Sequence, residues 1–207
     1  MSQAHGPPTR AVVDVSALPD VAFGPGDPDW WGTVGFMVIE GATLALCAGT
    51  YFYLGRRFDT LPPGATPLPD VLLPTLNLVL LLASLVPAAF TLRAARRLDR
   101  PAVERSLAVG LLVMTAVVAL RFFEFGSLHT RWDENAYGSI TWFTLGFHFT
   151  LLLVNLVESA VIFAILRRGP REHRIFSDVA DDAFYWFFVV LVWVPLYVII
   201  FLTPRFP

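Results

Sequence analysis

Five long apolar stretches, separated by short runs of Arg, Pro, Gly and Asp, set the pattern of this chain. The first, Trp30 to Leu54 (WWGTVGFMVIEGATLALCAGTYFYL), is long enough as a helix to cross a hydrocarbon core of about 30 Å. Trp30 and Trp31 at its start, and Tyr51, Tyr53, Arg56 and Arg57 at its end, are side chains that favour the two membrane interfaces. Gly41, Ala45 and Gly49 recur every fourth residue and predict a small-residue ridge for close helix packing. The first helix is thus expected over about 31–54 and the others over about 71–95, 106–128, 137–166 and 182–203. Pro87 and Pro195 are expected to kink the second and fifth. The expected fold is all-α, a polytopic bundle of five transmembrane helices.

The remaining segments divide the chain. Residues 1–29 are rich in Pro, Gly and Asp, and no basic region is followed by a short apolar core. They read as an extended cytoplasmic tail and not as a cleavable signal peptide, leaving 30–207 as the helical domain. Residues 55–70 hold four prolines and must form a loop. Arginine counting orients the bundle: ten lie in the tail, the second loop and the fourth loop, against four on the other side (Arg56, Arg57, Arg131 and Arg205). The positive-inside bias then places the N-terminus in the cytoplasm and the C-terminus in the periplasm.

Composition agrees: 56% of residues are hydrophobic and 15% charged, and mean hydropathy is +0.61. A soluble domain carries nearer a quarter charged residues. A net charge of -2 with no basic stripe argues against a nucleic-acid partner. The sole cysteine, Cys47, excludes intrachain disulfides and CxxC pairs and reads as a small packing residue.

Candidate chemistry reduces to five ionisable side chains within the spans: Glu40, Arg121, Glu124, His148 and Glu158. Each would cost a few kcal/mol facing lipid, so each is expected to face the bundle interior or a hydrated cleft. Arg121 and Glu124, three residues apart, can pair on one helical face, as a structural lock or part of a proton path. His148 is the one histidine inside a span, so neither a bis-histidine haem nor a three-histidine copper site can be built. It reads as a hydrogen-bonded helix-packing or lipid-contact residue. Glu158 is expected to pair with a loop arginine or with Arg121, and Asn77 to bond a neighbouring helix. No catalytic triad, phosphate loop or metal-spaced cluster occurs, so no active site of the chain's own is expected.

Taken together, several stretches resemble subunit III of the haem-copper oxidases in a short five-helix form. The first span is similar to that family's WxxxxFxxxE-type helix, with Glu40 on the acidic position. LPTLNLVLLLAS (Leu73–Ser84) resembles the P-x-x-N-T-x-x-L-L-x-S helix, keeping Pro74 and Asn77. RFFEFGSL puts Glu124 on the glutamate before an aromatic, and GFHF puts His148 on the first histidine of GxHGxH. YWFFVVLVWVPLYVIIFL, with Trp186 as a buried structural residue, is similar to the closing YWHFVDVVWLFLF-like helix. Departures are Phe149 and Leu151 in GxHGxH, Phe187 and Val190 in place of His and Asp, and Arg121 where Gln or another polar residue is usual.

The resemblance implies a non-catalytic subunit of a proton-pumping terminal oxidase in a bacterial inner membrane. It would pack against core subunit I, with subunit II nearby, and bind no haem or copper itself, those cofactors lying in the partners. Structural phospholipids would sit in a cleft, with Glu40 and His148 as lipid-cleft or proton-uptake candidates; Asn77, Arg121, Glu124, Glu158 and Trp186 would be buried polar or structural residues. Alternatives are a quinol oxidase subunit III, an accessory protein of nitric oxide reductase and, from another class, a small transporter.

Overall fold

The computed structural model describes residues 21–58, 60–64, 66–169 and 173–206. They form α1 (Pro28–Gly55), α2 (Leu72–Arg96), α3 (Arg100–Glu124), α4 (Ala136–Arg168) and α5 (Ile175–Tyr197). All five are long and apolar enough to cross a membrane, and no strand occurs among the described residues. Helix starts follow local capping chemistry. Asp27, Asp99 and Asn135 accept from the amides of Asp29, Ala102 and Gly138 at 3.0, 3.1 and 2.8 Å.

Two spans begin earlier than hydropathy indicates. Asp99 and Pro101 start α3 at Arg100, not near Ser106, and α5 starts at Ile175, not at Asp182. Charged first turns escape an apolar window because hydropathy marks the lipid-exposed length, not the helix. Helix α2 runs unbroken through Pro87, whereas beyond Pro195 the chain rewinds into a π turn, Val198–Leu202. Of the expected tail, residues 1–20 lie outside the described residues. Phe23 packs beneath the loops, Gly24–Gly26 make a 3₁₀ turn, and Asp29 pairs with Arg174 at 2.9 Å.

Helix α2 packs most extensively, on α3 and α5; α4 bridges α3 and α5, and α1 lies against α4 and α5. The main core gathers Leu44, Leu81, Val117, Leu145, Leu152, Val189, Trp193 and Phe201. A second core, around Ala95, Val103, Leu166 and Val179, closes the end that holds the α2–α3 and α4–α5 loops. Large apolar side chains point outward on every helix, among them Phe36, Leu72, Leu112, Phe122, Val157 and Leu191. Polar side chains turn inward, as a lipid solvent requires. Threonines on the outer faces close their hydroxyls onto their own helix, Thr43 to Ile39 O and Thr115 to Leu111 O.

The ridge expected on α1 is corrected by the packing. Gly41 faces α5, with Phe188 at 3.6 Å from where a Cβ would stand, but Ala45 and Gly49 point outward. The packed face is Met37, Gly41, Leu44, Ala48 and Tyr51, and Tyr51 turns inward onto Tyr137 (ring centroids 5.9 Å apart). A spacing of four finds a face but not the neighbour.

Gly138 is the tightest position: a Cβ there would lie 2.1 Å from the carbonyl oxygen of Arg131. Gly110, in mid-helix, has nothing within 4 Å. Gly138→Ala should therefore destabilise the purified chain by about 1–3 kcal/mol in micelle unfolding. Gly110→Ala should be neutral or raise stability by up to about 1 kcal/mol.

Candidate functional site

Two polar groups of residues occupy opposite halves of the bundle. In the half near the C-terminal end of α3, Arg121 Nη1 donates to Glu124 Oε2 at 2.8 Å, both side chains fully buried. Asn77 of α2 donates its amide to the other oxygen of Glu124. The Arg121 guanidinium also lies 3.8 Å from the centroid of Trp193 on α5. On Trp193 stacks His148 of α4, ring centroids 4.4 Å apart. His148 Nε2–H donates to the carbonyl of Val189 at 2.9 Å, which fixes the proton on that nitrogen. One continuous set of contacts thus ties α2, α3, α4 and α5.

The second group lies toward the end where α1 begins. A cleft of about 370 Å³ between α1, α4 and α5 is lined by Thr33, Phe36, Glu40, Glu158, Asp181 and Tyr185, among others. Tyr185 donates to Glu40 Oε2 at 2.7 Å and so links α5 to α1. Behind the cleft, Asp182 accepts from Asn155 at 3.0 Å and from Ser159 at 2.8 Å. Trp186, one turn on, donates its indole N–H to Ser84 of α2 at 2.8 Å. No group of three or more His, Cys, Asp or Glu with metal-holding geometry occurs among the described residues.

Asn77, Arg121 and Glu124 come together, Trp186 is buried, and Glu40 lines the cleft. Two expectations change. Glu158 makes no ion pair with any described residue and stands on the cleft wall beside Asp181 and Asp182, because Arg121 is held by Glu124 and Trp193 in the other half. His148 is fully buried against Trp193 and does not line the cleft. Asp182 was missed: as the supposed edge of the last span it looked like a boundary residue, yet α5 starts about two turns earlier. Its signal was in α4, where Asn155 and Ser159 stand one turn apart and need an acceptor.

The buried ion pair has a measurable consequence. Arg121→Met or Glu124→Gln, each removing one charge, should cost about 3–5 kcal/mol in micelle unfolding, and the double variant should recover at least half of that loss.

Residues 45–204 match the family model described as cytochrome c oxidase subunit III. The chain is 25% identical over 184 residues to cytochrome c oxidase subunit 3 of Synechocystis sp., covering 86% of this chain and 77% of that protein. It is 31% identical to cytochrome c oxidase subunit 3 of Cyprinus carpio over 142 residues, covering 68% of this chain and 54% of the relative. The Carassius auratus protein of the same name gives the same identity and coverage. This chain therefore spans about half the length of the fish relatives. The matched residues take in α2 to α5 whole, with Asn77, Arg121, Glu124, His148, Asp182 and Trp193. This membrane-spanning bundle belongs to the cytochrome c oxidase subunit III family.

Proposed function

We propose that the chain is the peripheral, non-catalytic subunit of a proton-pumping haem-copper terminal oxidase in a bacterial inner membrane. Membership of the subunit III family over residues 45–204 carries this reading. The haem and copper belong to partner subunits. This chain packs its outward apolar faces against core subunit I, near subunit II, with its N-terminus in the cytoplasm.

The work of the subunit is bracing and lipid retention. Its own polar groups are spent on each other: Arg121 on Glu124 and Trp193, His148 on Val189, Asp182 on Asn155 and Ser159. The cleft between α1, α4 and α5 is where we place a retained phospholipid and a contribution to proton uptake, with Glu40 on its wall held by Tyr185. The outer face of α1, the least buried helix, is covered in the assembly by lipid or by helices of the core subunit.

Deleting the gene segment for this chain should leave the haem spectrum of the oxidase intact while the enzyme inactivates faster during turnover. Loss of the haem signal on deletion would contradict a peripheral role. Affinity purification of the tagged chain from native membranes should bring down a haem-bearing subunit, read by mass spectrometry and the spectrum of the eluate.

A further inference from the structure

The α2–α3 hairpin carries a second, larger recess that neither polar group uses. It is an open groove of about 900 Å³, lined along α2 by Val86, Phe90, Arg93 and Arg97 and along α3 by Arg105 and Val109. Positions 86, 90, 93 and 97 follow the spacing of a single helical face, so one stripe of α2 changes from apolar to cationic toward the loop. Helix α3 shows the same gradient in the same direction, from Val109 up to Arg105.

Charge in the groove is unbalanced. Neither Arg93 nor Arg97 forms an ion pair with any described residue, and Arg105 has one bond, from Nε to the Pro101 carbonyl. Asp99, the one carboxylate of the lining, spends an oxygen on capping α3. By contrast, Arg100 in the same hairpin is tied to Glu104 and to the Leu166 carbonyl, and Arg174 to Asp29. The arginines that form ion pairs among the described residues, Arg100, Arg121, Arg131 and Arg174, all lie outside the groove. Below the cationic end, Val86, Phe90 and Val109 are more than half exposed. The eleven steps from Val86 to Arg97, the C-cap of α2, rise about 16 Å, close to one leaflet of a bilayer core.

We propose that this groove holds one anionic phospholipid, its phosphate between Arg93, Arg97 and Arg105 and an acyl chain along Val86, Phe90 and Val109. The site is separate from the α1–α4–α5 cleft and needs only that the chain spans a membrane, so it stands whether or not the oxidase assignment does. An ammonium headgroup would cancel the charge the arginines read, so a net-negative lipid is selected over a zwitterionic one.

Native mass spectrometry of the full purified chain, titrated with dioleoylphosphatidylglycerol or dioleoylphosphatidylcholine, tests this. One phosphatidylglycerol should be retained at least about tenfold more tightly than phosphatidylcholine. Arg93→Gln/Arg97→Gln/Arg105→Gln should abolish that preference, while Arg56→Gln, an exposed arginine at the opposite end of the bundle and in neither recess, leaves it unchanged. Should the triple variant misfold, Arg97→Gln, which removes an exposed side chain with no ion pair, must still weaken the preference. Equal retention of the two lipids would overturn the proposal. So would a triple variant that keeps the preference but no longer binds a partner subunit, which would make the groove a protein-docking surface.

Discussion

A guanidinium sealed inside a membrane-spanning bundle is the feature on which the rest of this structure turns. Arg121 has no access to solvent, and its charge is met by Glu124 on one side and the face of Trp193 on the other. Apolar burial cannot drive helices together in lipid, because the tails outside are as apolar as the leucines inside. Close packing and interior polar contacts therefore decide which helices meet and in what rotation. Here one charge on α3 reaches α2 through Glu124 and Asn77, α5 through Trp193, and α4 through the His148 ring stacked behind it. Removing it would leave a carboxylate and an indole face arranged around nothing.

The opposite half repeats the principle with neutral donors. Asp182 takes hydrogen bonds from Asn155 and Ser159, and Trp186 reaches Ser84, so α2, α4 and α5 are joined at both ends. Helix α1 is different. It is held by the packed face from Met37 to Tyr51, by the hydrogen bond from Tyr185 to Glu40 at the mouth of a cleft, and by the exposed ion pair of Asp29 with Arg174. The bundle is thus a tightly bound four-helix body with one lightly attached helix. The arginines of the α2–α3 hairpin, Arg93, Arg97 and Arg105, stand at the end of the bundle without ion pairs among the described residues.

Much of this was legible in the residues, and for definite reasons. Continuous apolar runs of spanning length leave little alternative to helices, and Arg121 and Glu124 at three-residue spacing announce their own pairing. The family's elements also fall in order along the chain. What was not legible needed rotation about helix axes. His148 and Trp193 are distant in sequence and meet only because α4 and α5 present those faces to each other. The same gap put Ala45 and Gly49 in a packing ridge when they face outward, and gave Glu158 an arginine it does not have. Asp182 was hidden because hydropathy cannot tell a helix that begins in water from one that begins in lipid.

The claim that the Arg121–Trp193 contact binds α3 to α5 is tested most directly by a double-mutant cycle. Arg121→Met, Trp193→Leu and the pair together would be compared by unfolding free energy in micelles. A coupling energy of about 1–2 kcal/mol is the expected result. Losses that simply add, to within about 0.3 kcal/mol, would show that the two residues are neighbours without being partners, and the account of how this bundle is held would fail.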